Sequence, residues 1–179
     1  METIVLLCGV TIGAGILGTG TAWLTAACSF PGRSFFAWAL VLPLSVPADI
    51  SSYTYVEMLD YSGPVQSLVR MVGGFSDSRD YWFPDIRSLW GAALIFSLVL
   101  YPYVYLTARV CFSMQGAAVL DVARSLGARP LRMFFRVALP IARPGLAAGL
   151  ALALMETLND IGAVEILGVR TLTFAVYDT

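Results

Sequence analysis

Residues 121–140 read DVARSLGARPLRMFFRVALP. This stretch is basic and helix-friendly, and it lies between two long apolar runs. Gly127 is placed to end a helix in a left-handed conformation that a side chain would resist. Pro130 can open a second short helix at its first turn, where its missing N–H costs little. Leu131, Phe134, Phe135 and Ala138 then form an apolar stripe at helical spacing. Arg129, Arg132, Arg136 and Arg143 remain for water, lipid headgroups or acidic partners. The reading is helix, sharp turn, helix, set at the surface of a membrane and shaped to sit in a groove of a partner protein. Two plainer readings share these residues: an arginine bias toward one side of the bilayer, and a basic helix lying on anionic lipid.

Working outward, composition sets the setting. Of 179 residues 58% are hydrophobic and 13% charged, with mean hydropathy +0.77. Soluble domains carry about a quarter charged residues, so a multi-pass membrane protein is expected. Four spans can be drawn, at 3–27, 35–59, 89–111 and 145–169. Each is long enough to cross a hydrocarbon core of about 30 Å. Pro43, Pro47 and Pro102 fall inside spans, where neighbouring helices can satisfy the freed carbonyls. Kinked helices around a pathway and ordinary bundle irregularity both fit them.

Orientation follows from arginine, since the chain has no His and every basic residue is Arg. Arg33, Arg109, Arg124, Arg129, Arg132, Arg136 and Arg143 would share one side; Arg70, Arg79, Arg87 and Arg170 the other. This puts the 112–143 loop in the cytoplasm and the N-terminus and the 60–88 loop outside. A first span that starts outside is expected to have an earlier one before it. The chain is thus expected to lack a span at each end, leaving the G-x-x-x-G faces at Gly9/Gly13 and Gly145/Gly149 short of neighbours to pack against.

Several chemistries are excluded or disfavoured. Cys8, Cys28 and Cys111 have neither disulfide nor zinc spacing. Gly13, Gly15 and Gly18 spell G-x-G-x-x-G with no strand before them, so no dinucleotide site is expected. A phosphate-cradling loop needs a lysine that the chain lacks. No catalytic residue set, metal site or cofactor is expected. A nucleic-acid role is disfavoured by the near-neutral net charge and by the loop's short tether to two spans. Within the fourth span, Glu156 and Asp160 are four apart and so share a helical face. With Thr157 and Asn159 they make a polar patch near mid-span, where a charge is expensive unless it faces protein or water. Glu156, Asn159 and Asp160 are therefore candidates to line a pathway, with interhelical hydrogen bonding as the structural alternative. Asp49 and Glu57 in the second span are weaker candidates.

The 121–140 stretch resembles the cytoplasmic coupling loop of binding-protein-dependent ABC importer permeases. That signature is E-A-A, three residues, G, nine residues, I-x-L-P. Asp121, Val122 and Ala123 stand at E-A-A, Gly127 at the glycine, and Val137, Leu139 and Pro140 at I-x-L-P, without a gap. Residues 30–66, 79–92, 98–110 and 152–169 are similar to the ferric-iron branch of the family. The resemblance implies an all-α polytopic transmembrane helix bundle, a partial type I importer permease core over 1–179. It implies a non-enzymatic permease subunit of the bacterial inner membrane. Its partners would be cytoplasmic ABC ATPase subunits, gripping Asp121, Ala123, Gly127, Val137, Leu139 and Pro140, and a periplasmic substrate-binding protein. Ferric iron is the expected substrate. Thiamine, sulfate or polyamine are the alternatives within the class, and a non-transport membrane scaffold is the alternative outside it.

Overall fold

The computed structural model describes residues 2–75, 80–81, 83–115 and 130–169, and it is all-α, with no strand among the described residues. Helix α1 (Glu2–Ala27) is followed by α2 (Arg33–Ala39), a 3-10 turn (Leu42–Ser45), α3 (Ala48–Leu59) and α4 (Pro64–Gly73). Then come α5 (Leu89–Met114), α6 (Pro130–Met133), a π-helical turn (Phe134–Ala138), α7 (Leu139–Asn159) and α8 (Ile161–Ile166). Among the described residues three helical stretches are long and apolar enough to cross a membrane: Glu2–Ala27, Leu89–Met114 and Leu131–Asn159. The bent pair Arg33–Ser45 and Ala48–Gly73 makes a fourth if it counts as one span.

Helix α5 is central. Its apolar stretch is 61% buried, against 33% for α1 and 22% for Leu131–Asn159. Helix α1 turns one stripe to it, Leu6, Val10, Ala14, Gly18 and Ala22, at the three-to-four spacing of a helix face. The contact is close because glycines permit it. A Cβ at Gly9 would stand 2.7 Å from the Ala93 Cβ, and one at Gly18 2.6 Å from the Val104 Cβ and 2.8 Å from the Tyr101 carbonyl oxygen. On the adjoining face of α5, a Cβ at Gly149 would lie 2.8 Å from the Val104 Cα, and one at Gly145 would strike the Cys111 Sγ. Both G-x-x-x-G faces therefore find their neighbour inside the chain, contrary to the expectation that they would lack one. Small residues allow the backbone approach on which association in lipid depends.

The helices depart from the expected spans in two places. The 35–59 span is not one helix, because the chain bends by 99° between Arg33–Ser45 and Ala48–Gly73. Pro47 explains the break. A residue before proline is driven out of the helical region, and Val46 is extended at φ −107°, ψ 127°. The fourth helix starts earlier than 145 and ends before 169. The stretch from Leu131 to Asn159 is helical, and a break at Asp160 separates it from α8. The apolar stripe is also redrawn. Met133 and Ala138 are buried, while Leu131 and Phe135 are 73% and 61% exposed. The π turn accounts for this, since its wider turn rotates the residues before it relative to α7.

Two polar links fasten α2 to this scaffold. Arg33 donates through Nε to the Thr25 carbonyl at 2.6 Å and through Nη2 to the Ala26 carbonyl at 3.0 Å, capping the end of α1. The fully buried Tyr105 of α5 donates its hydroxyl to the Ala37 carbonyl at 3.2 Å and accepts from Thr25 Oγ1 at 3.3 Å.

The α1–α5 contact predicts a contrast between two glycines of one helix. Gly18→Val forces a branched side chain against the α5 backbone and should cost about 1–3 kcal/mol. Gly20→Ala, with nothing within 4 Å of its Cβ position, should be neutral. Thermal unfolding of the detergent-solubilised protein checks it: a lowered midpoint for the first and an unchanged one for the second.

Candidate functional site

The breaks at Val46–Pro47 and at Asp160 bring together acidic residues from distant parts of the chain. Asp49 lies in the first turn of α3, where the helix dipole favours a negative charge. Asp160, at φ −84° and ψ 85°, stands between α7 and α8 and caps the latter: its Oδ1 accepts the Ala163 N–H at 2.9 Å. The Asp49 and Asp160 carboxyls face each other at hydrogen-bonding range, a contact in which one of the two carries the proton that the other accepts. Gly162 makes room for this, since a Cβ there would come 2.7 Å from the Asp49 Oδ1. Glu156, one turn back in α7, completes the group.

These residues border a cavity of about 390 Å³ lined by Pro47, Ala48, Asp49, Glu156, Asn159, Asp160 and Gly162. A smaller one, about 80 Å³, lies behind the broken helix between Pro43, Val46 and the α5 residues Val99, Leu100 and Tyr103, and Glu156 borders it too. Among the described residues no arginine lines either cavity. Clustered carboxylates repel one another and anions, and attract cations. Among the described residues no group of three His, Cys, Asp or Glu side chains is arranged to hold a metal ion. The cluster is thus a negative surface patch around a cavity, without the geometry of a metal cage.

Of the residues picked from sequence, Glu156, Asn159 and Asp160 border the cavity together. Glu156 and Asp160 do not share a face of one continuous helix, however, because α7 ends at Asn159. Asp49 belongs to the group, while Glu57 is exposed further along α3. Gly162 and the cavity-lining Pro47 were missed. The Val46–Pro47 pair was the available signal, because a helix that restarts at Pro47 places Asp49 in a first turn.

The loop residues divide. Asp121, Ala123 and Gly127 lie outside the described residues. Pro130 opens α6, Val137 falls in the π turn, and Leu139 and Pro140 begin α7. This end of the loop is held by aromatic contacts, with Trp23 of α1 5.5 Å from Phe112 of α5 and 5.3 Å from Phe134 between ring centroids.

Comparison with known proteins places these features in context. Residues 27–178 match the family model described as "Binding-protein-dependent transport system inner membrane component". An Fe(3+)-transport system permease protein of Haemophilus influenzae is 30% identical over 176 residues, covering 98% of this chain and 30% of that protein. A molybdenum transport system permease protein of Escherichia coli is 30% identical over 145 residues, covering 79% of this chain and 58% of the relative. A sulfate transport system permease protein of Salmonella typhimurium is 28% identical over 151 residues, covering 84% and 51%. The chain therefore spans between about a third and three fifths of the length of these relatives.

Asp160 serves as helix cap and as charge, and substitution separates the two. Asp160→Ala should remove the cap and cost about 1 kcal/mol, whereas Asp160→Asn should keep it. Hydrogen exchange at the α8 amides, Ala163 above all, should speed up in the first variant and stay at the parental rate in the second.

Proposed function

Given that the chain belongs to the family of binding-protein-dependent transport system inner membrane components, we propose that it is the membrane permease part of a bacterial ABC importer for ferric iron. The three carboxyl residues Asp49, Glu156 and Asp160, around a cavity that no arginine among the described residues lines, carry the choice of substrate. Molybdate and sulfate are anions, and a passage bordered by clustered carboxylates opposes them. A trivalent cation is drawn to it, and a patch that lacks cage geometry lets the ion pass on. The Haemophilus influenzae relative, similar along 98% of this chain, supports the same assignment.

In this reading the chain performs no covalent chemistry. Separate ATPase subunits grip the 121–140 loop through Asp121, Ala123, Gly127, Val137, Leu139 and Pro140. The loop lies in the cytoplasm and the 60–88 segment faces outward, toward a periplasmic binding protein that delivers the ion. ATPase closure pushes on the loop, and the α1–α5–α7 body rocks against the α3–α4 and α8 segments. Because Asp49 belongs to one side of that motion and Glu156 to the other, the motion opens or closes the cavity between them. The membrane is the bacterial inner membrane, and surrounding lipid covers the exposed apolar faces.

Uptake into proteoliposomes holding the full-length permease, its ATPase and its loaded binding protein tests the proposal. Iron should be taken up, and molybdate and sulfate should not. Asp49→Asn and Glu156→Gln should each lower iron uptake by roughly tenfold, the equivalent of about 1.4 kcal/mol, with expression unchanged. Gly127→Val should leave insertion intact and separate ATP hydrolysis from uptake. Preferred uptake of either oxyanion, or parental uptake in both carboxyl variants, would overturn the substrate assignment. Parental uptake by the Gly127 variant would overturn the coupling one.

A further inference from the structure

The π turn at Phe134–Ala138 has a physical cause and, among the described residues, one side-chain hydrogen bond to its end. The Leu139 N–H donates to the Phe134 carbonyl, five residues back. Pro140 lies just beyond. In a regular helix its ring would press on the carbonyl four residues earlier, that of Arg136, and it has no N–H to offer there. A wider turn before the proline relieves both problems, and such turns are uncommon and often sit at functional positions. The Ala138 carbonyl at the end of this turn accepts a buried hydrogen bond of 3.0 Å from Nε2 of Gln115. Gln115 follows directly on α5, so one side chain joins the point where the chain leaves α5 to the point where it enters α7.

Gln115 is a costly way to fill that site. It is 9% exposed, and its Oε1 is buried with no hydrogen-bond partner among the described residues. An unpartnered buried acceptor costs about as much as the bond on Nε2 contributes, or more. A methionine of similar volume would fill the site beside Ala138 without that cost. Stability alone thus does not account for a carboxamide here, whereas directional attachment to the Ala138 carbonyl does.

We propose that Gln115 is a positioning residue that clamps the two ends of the 116–137 loop together at the π turn, so that force on the loop moves α5 and α7 as one body. The proposal rests on the coupling role assigned above to the loop. Without the clamp, a push on the loop is absorbed by rearrangement of the π turn and reaches α7 only in part.

The test uses the full-length permease assembled with its ATPase and binding protein in proteoliposomes, with Gln115→Met and Gln115→Leu, each of which keeps a side chain of similar size and removes the donor. ATP hydrolysed per substrate imported should rise about fivefold in both, the factor that one hydrogen bond of about 1 kcal/mol is worth, while ATPase subunits still co-purify. Hydrogen exchange over 130–142 should speed up by a similar factor, and exchange in α1 should hold. An unchanged ATP-to-substrate ratio in both variants, or a uniform rise in exchange and loss of assembly throughout the protein, would overturn the clamp. Failure of the parental complex to couple hydrolysis to import would instead overturn the loop assignment beneath it, and the two failures are told apart by the parental measurement.

Discussion

The close approach of α1 and α7 to α5 and to each other is the constraint on which the remaining architecture depends. In lipid there is little hydrophobic reward for bringing helices together, so packing distance and hydrogen bonding must do it. Gly9, Gly13 and Gly18 bring the α1 backbone onto α5, and Gly145 and Gly149 do the same for α7. Hydroxyls at these contacts cause no polar debt, because Ser97 and Thr107 hydrogen-bond to carbonyls of their own helix. The result is a three-helix body that can move as a unit.

Everything attached to that body is broken helix. Helix α2 is fastened to it by Arg33 and Tyr105, then the chain bends at Pro47, and α3 leaves in another direction. Helix α7 ends at Asp160, and α8 packs back against α3. Breaking a helix in a membrane-spanning region exposes backbone groups that must be satisfied or line a cavity. Here the breaks coincide with the carboxyl-lined cavity, and two of the carboxyls help to stabilise the breaks. Asp160 caps α8, and Asp49 complements the α3 dipole. Glu156 has neither benefit, which makes it the member of the group whose charge is least explained by local structure.

The loop end shows the same economy. Pro140 belongs to the family signature, and its ring accounts for the π turn before it. The turn in turn sets which residues are buried, favouring Met133 and Ala138 over Leu131 and Phe135, and it presents the Ala138 carbonyl to Gln115. A sequence position read as a recognition mark for an ATPase thus also has a mechanical consequence within the permease itself.

The amino-acid sequence by itself determined the class of protein, the three long apolar helices to within a few residues at most ends, and the family, through the spacing from Asp121 to Pro140. It did so because apolar length, arginine content and motif spacing are local properties. It also singled out Glu156, Asn159 and Asp160, since polar residues in an apolar run stand out without any structure. The tertiary structure alone decided that Asp49 joins them, that Glu156 and Asp160 belong to different elements, and that the glycine faces meet α5. Those facts turn on a 99° bend and a helix stop, and a period-based reading runs smoothly through both. Val46–Pro47 carried the first signal in plain view. The stop at Asp160 carried only an ordinary helix-cap residue inside an apolar run, and which way the chain turns there is fixed by what it packs against.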